Sequence, residues 1–157
     1  SALLLVTGPP AGGQDVLMDS IKRLVSASHT WVVVSDSLSL GQGMRLSPSR
    51  LSSSISSGLA ECATIPTDTS RSPHLALVLP THTPLSQVLA TLAATSAVQA
   101  GRCHLRAVTV CMRAGACLEG TRKTPRAGTL SFLQPGLVDN LLIFGTKAEA
   151  STVGLFV

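Results

Sequence analysis

Ala2-Leu3-Leu4-Leu5-Val6-Thr7-Gly8-Pro9-Pro10-Ala11-Gly12-Gly13-Gln14-Asp15 is the stretch on which the reading of this chain turns. A short apolar run leads into a glycine-rich turn, and an amphipathic run follows to Ser28. Strand, turn and helix in that order form the context of a phosphate-binding loop. In the spacing G-x-x-x-x-G-K-[ST], Gly8 and Gly13 fall in place. Gln14 stands where the lysine belongs, and Asp15 where the magnesium-binding hydroxyl belongs. Gly8, Gly12 and Gly13 can supply the turn's dihedrals, whereas Pro9 and Pro10 remove two N–H donors. Gln14 can donate a hydrogen bond but cannot neutralise phosphate charge, and Asp15 would face a triphosphate with a like charge. At a helix N-terminus Asp15 also has a plain use, matching the helix dipole.

Working outward, Leu17, Ile21, Leu24 and Val25 recur at helical spacing and predict one apolar stripe. His29–Ser35 is β-branched and aromatic with a continuous apolar centre, as an interior strand of a parallel sheet requires. Residues 37–47 read as loop. Ser47 and Pro48 then open a helix lined by Leu51, Ile55 and Leu59 and weakened by its serines and Gly58. Residues 64–73 read as a surface connection. Leu75–Leu79 is a buried strand, and Thr83 is expected to cap a helix carrying Leu85, Val88, Leu89 and Leu92. His104–Met112 is a further strand, 113–135 a long basic connection, and Asn140–Phe144 a last strand. Lys147–Ala150 could start another helix. Strands alternating with helices predict an α/β fold with an open, mostly parallel sheet of about five strands flanked by helices, a degenerate relative of the P-loop NTPase architecture. Ligands on such sheets bind at the carboxyl ends of the strands.

Composition narrows the function. The 157 residues fit one domain. Forty-five per cent are hydrophobic but only 13 % charged, about half the usual share. So little surface charge suggests a piece of a larger multidomain protein, with neighbours covering part of the surface. The net charge of +4 is spread along the chain, and the one basic cluster, Arg122, Lys123 and Arg126, is not interleaved with aromatics. Nucleic-acid binding is therefore not expected. Cys62, Cys103, Cys111 and Cys117 lack metal-ligand spacing and read as buried thiols of a reducing compartment. No apolar run approaches the ~20 residues of a membrane span. The expected location is cytoplasmic.

An enzymatic alternative rests on Asp36, at the end of the second strand, with Arg113, Arg122, Lys123 and Arg126 as a phosphate cradle. It would make the chain a divergent nucleotide-binding kinase or NTPase. Against it, no acid follows Leu75–Leu79 to position magnesium, and the chain runs into Pro80-Thr81-His82. His29, His74 and His104 are expected at the opposite end of the sheet. A domain without catalysis, without metal and without a resident cofactor is the expectation, with weak GTP or ATP binding left open.

The order of segments is similar to the C-terminal region of the Shulin family of ciliary dynein assembly factors, called dynein axonemal assembly factor nine in animals. The matching stretches are Ala2–Pro10, Leu75–Leu79, Arg106-Ala107-Val108-Thr109-Val110-Cys111 and Gly136-Leu137-Val138-Asp139-Asn140. The resemblance implies a cytoplasmic, in part ciliary, packaging factor that binds outer-arm dynein heavy chains and holds the motor closed. It also implies contacts with other domains of the same protein and a link to an Arf-like small GTPase. Gln14 departs from the family's fuller loop pattern, where a lysine is expected.

Overall fold

The computed structural model describes residues 1–9, 11–25, 29–35, 46–66, 72–81, 83–114 and 136–145. Five strands build the sheet: β1 (Ala2–Gly8), β2 (His29–Ser35), β3 (Ser72–Pro80), β4 (His104–Arg113) and β5 (Asn140–Phe144). Between them lie α1 (Gln14–Val25), α2 (Pro48–Thr64), α3 (Leu85–Ala93) and the short α4 (Ser96–Gln99). All pairings are parallel and the strand order is β2-β3-β1-β4-β5. An open parallel α/β sheet is thus the fold.

Parallel neighbours need a crossover between them. The step from β1 to β2 runs toward one edge, and every later step runs the other way. With right-handed connections, that reversal sends α1 to one face and the remaining helices to the other. The two cores follow. Leu3, Leu5, Leu75, Leu77, Leu79, Val108 and Val110 meet Leu51, Ile55, Leu85, Val88 and Leu92 on the face of α2 and α3. Val6, Ala76, Val78 and Cys111 meet Met18 on the face of α1, with Leu17, Ile21, Leu142 and Phe144 packed around them. Alternate residues of each strand serve opposite faces, so the centres of β1 and β3, Leu3–Val6 and Leu75–Leu79, are apolar throughout.

Several sequence expectations need correction. The contact of α1 is led by Met18, which is buried while Leu17 and Ile21 are half-buried. Helix α2 runs through Thr64 despite its serines, because Leu51, Ile55, Gly58 and Cys62 form its buried stripe. Gly58 is not a weakness there. A Cβ on it would lie 2.5 Å from Leu75 and Val34, so the glycine lets the helix approach the sheet. Ser47 and Pro48 do open α2, but the Ser47 hydroxyl pairs with Ser49 and not with the helix amides. Thr83 does not cap α3. Pro84 holds the N-cap position, and the Thr83 hydroxyl accepts a hydrogen bond from Thr81 at 2.9 Å. Strand β3 starts at Ser72, so Pro73 and His74 belong to the sheet, and α4 had no clear periodic signal in its four residues. The expected helix at 147–150 and most of the connection 113–135 lie outside the described residues. No helix among the described residues is long and apolar enough to cross a membrane.

Candidate functional site

Strand β1 occupies the middle of the sheet, so its glycine-rich turn emerges at the carboxyl end between β3 and β4. On this architecture that is the position where ligands bind. The turn is tied down on both sides. The Thr81 amide, just beyond β3, donates to the Gly8 carbonyl at 2.8 Å. A Cβ on Gly8 would collide with the Cys111 carbonyl of β4, and one on Gly12 would lie 2.5 Å from the same oxygen. Gly13 rests against the Phe144 ring of β5, with 2.6 Å left for a Cβ. Gly8 has φ 133° and Gly13 φ 97°, values that also favour glycine. The glycines therefore serve close packing of the turn on the strand ends as well as its shape.

The Gln14 side chain and the Pro9 and Ala11 carbonyls of the turn are engaged by the protein itself. Gln14, the first residue of α1, is 3 % exposed, and its Nε2 donates to the Pro9 carbonyl at 2.9 Å. The Gly12 amide donates to that same oxygen at 3.0 Å. Ala11 adopts φ 59°, unusual for a residue with a Cβ, and its carbonyl accepts the Arg113 Nε–H at 2.7 Å. The turn thus directs the Pro9 and Ala11 carbonyls toward the donors Gln14 and Arg113. A phosphate site is built from amide N–H groups converging on the ligand, and these two carbonyls contribute none. Asp15 is exposed in the first turn of α1, as its dipole-matched reading expects.

Of the sequence-derived candidates, Gly8, Gly12, Gly13, Gln14 and Asp15 form one contiguous turn. Arg113 joins them from β4. Asp36, His82, Arg122, Lys123 and Arg126 lie outside the described residues. His104 is exposed at the start of β4, at the opposite end of the sheet. The residues that sequence reasoning missed are Ala11, Thr81, Cys111 and Phe144. Ala11 fills a variable position of the loop spacing, and the other three reach the turn from distant parts of the chain.

Cys62, Cys103 and Cys111 are free and buried. Burial pushes the Cys111 thiol up to about 11 and raises Cys62 and Cys103 as well, which is opposite to what a nucleophilic thiolate requires. Among the described residues, no group of three or more His, Cys, Asp or Glu side chains could hold a metal ion.

A separate cavity of about 480 Å³ lies between α2 and α4, lined by Pro48, Ser49, Ser52, Ser53, Ser56, Ala94 and Ser96. Its hydroxyls bond within the protein, Ser52 to Ser96 at 2.6 Å and Ser53 to the Ser49 carbonyl at 3.1 Å. It contains no ionisable side chain and none of the turn residues, so the carboxyl end of β1 remains the better candidate.

No protein-family model matches the chain, and no curated protein matches it.

Proposed function

We propose that this chain is a non-catalytic structural and interaction module built on a degenerate phosphate-binding loop. The observation that carries the reading is the Gln14 side chain, buried and donating to the Pro9 carbonyl. A neutral amide closes the turn from inside, at the position where a lysine would meet phosphate charge. The turn then acts as a clasp joining β1, β3, β4 and β5 through Gly8, Thr81, Cys111 and Phe144. In the setting that the family resemblance implies, the module belongs to a cytoplasmic factor that packages and inhibits outer-arm dynein before transport to cilia. Its partners there are dynein heavy chains, neighbouring domains of its own protein and an Arf-like small GTPase. Titration calorimetry with ATP and GTP in the presence of Mg²⁺ tests the loop directly. No heat is expected, and magnesium-dependent micromolar binding overturns the reading.

One observation favours a second reading. Arg113 places a cation beside the turn, as a divergent kinase or NTPase using Asp36 and the basic 113–126 segment would require. Turnover that is lost on Asp36→Asn would decide for that enzyme.

A further inference from the structure

We propose that the amino-terminal edge of β4, His104–Ala107, is a docking edge for an extended acidic peptide segment. The site is at the opposite end of the sheet from the turn and does not depend on the reading of that turn.

Strand β4 is longer than the strand beside it. β5 joins it only from Thr109, opposite Asn140. Asp139 supplies the last rung below that point: its amide donates to the Val108 carbonyl at 3.0 Å, and its Oδ2 accepts the Val108 amide at 2.7 Å. Upstream of Val108, β4 is paired with β1 alone among the described residues. The register slips by one residue between Leu3 and Leu4, placing a bulge at Arg106. Bulges of this kind re-aim side chains and mark the ends of pairing.

The side chains on this stretch select the occupant. His104, Leu105 and Arg106 are all exposed, as is Arg102 just before the strand. Leu105 is 37 % exposed, a large apolar side chain between two basic ones. Gly101–Ala107 contains no carboxylate. Neither Arg106 nor His104 makes a side-chain hydrogen bond or ion pair among the described residues, and the Arg102 side chain reaches only the Ser56 hydroxyl, at 3.4 Å. Asp139, the one carboxylate at the edge among the described residues, is already committed to the Val108 amide.

Unpaired backbone on a strand edge can accept another strand. Cations on the edge oppose pairing with a second copy of this chain, because Arg106 would face Arg106 or its neighbours. The same cations favour a strand carrying acids on the matching face, which is selection by a repulsive element as well as an attractive one. Leu105 offers an apolar contact between the charges. A segment that alternates acidic and β-branched residues meets all three demands.

The test is fluorescence anisotropy on the whole 157-residue chain, with a labelled Glu-Val-Glu-Val-Glu-Val peptide capped at both ends. Binding that weakens with salt is expected, together with a loss of about tenfold on Arg106→Glu. N-methylating alternate amides of the peptide removes strand hydrogen bonds without altering charge, and a comparable loss is expected. Circular dichroism of Arg106→Glu checks that the exposed substitution leaves the fold intact, and the peptide change needs no variant at all. Absence of binding overturns the proposal. So does equal binding of the N-methylated peptide or of oligo-deoxythymidine, since either would make the edge a plain charge attractor.

Discussion

The Nε–H of Arg113 meets the carbonyl of Ala11 across 2.7 Å, joining the end of β4 to the turn after β1 over a separation of 102 residues. The carbonyl is available because Ala11 sits at φ 59°, in the left-handed region. That conformation costs a non-glycine residue about 1–2 kcal/mol. Ala11→Gly removes the strain and adds roughly 0.5–1 kcal/mol of unfolded-chain entropy. The expected net result is neutral to slightly stabilising, read as an unchanged or higher midpoint in urea.

Gly8→Ala has the opposite outcome. Its new Cβ would meet the Cys111 carbonyl, which is backbone and cannot rotate away. A φ of 133° adds strain. Loss on the order of 3 kcal/mol or more is expected, combining overpacking with backbone strain. Comparing the two alanine–glycine exchanges in one denaturation series separates turn strain from packing.

Gly58→Ala sets helix propensity against space. Alanine gains about 1 kcal/mol in a helix interior, whereas forcing a methyl into a filled core costs about 1–3 kcal/mol. The Cβ would lie 2.5 Å from both the Leu75 and Val34 side chains. Leu75 is fully buried and has little room to give, so packing wins. A lower melting temperature is expected.

The buried thiols make the protein sensitive to alkali. Burial raises Cys111 from 9.0 to about 11 and raises Cys62 and Cys103 in the same direction. The folded state therefore prefers the neutral thiols. That stability is complete below about pH 9 and is lost as pH rises toward 11, because the unfolded chain releases its protons first. For Cys111 alone the loss is on the order of 2 kcal/mol. Urea midpoints should stay level from pH 8 to 9 and fall through pH 10 and 11. A Cys111→Ser variant, already destabilised, should show a shallower fall.

Asp139 closes the ladder between β4 and β5 through its 2.7 Å bond to the Val108 amide. Asp139→Ala leaves that amide without its acceptor, at a cost of about 1–3 kcal/mol. The damage should be local. Faster hydrogen exchange is expected at Asn140–Phe144 and at Val108, with β1 and β3 unchanged. Asp139→Asn keeps an acceptor oxygen and should restore most of the protection.

The sequence on its own determined the elements and their class. Alternating buried runs, the glycine turn after β1, and the Ser47-Pro48 helix start are written within a few residues of one another, and local sterics and hydrophobic periodicity suffice to read them. The absence of lysine and hydroxyl at Gln14 and Asp15 was likewise legible at once. Tertiary structure alone decided the strand order β2-β3-β1-β4-β5 and hence which ends surround the turn. It also decided that Gln14 points inward to Pro9, that Gly8 and Gly12 sit on the Cys111 carbonyl, and that Gly13 meets Phe144. Gly13 and Phe144 are 131 positions apart, and Gly8 and Gly12 meet a backbone oxygen common to every residue, so no local pattern encodes these contacts. The turn that sequence presents as a phosphate loop becomes, once folded, the place where four strands are fastened together.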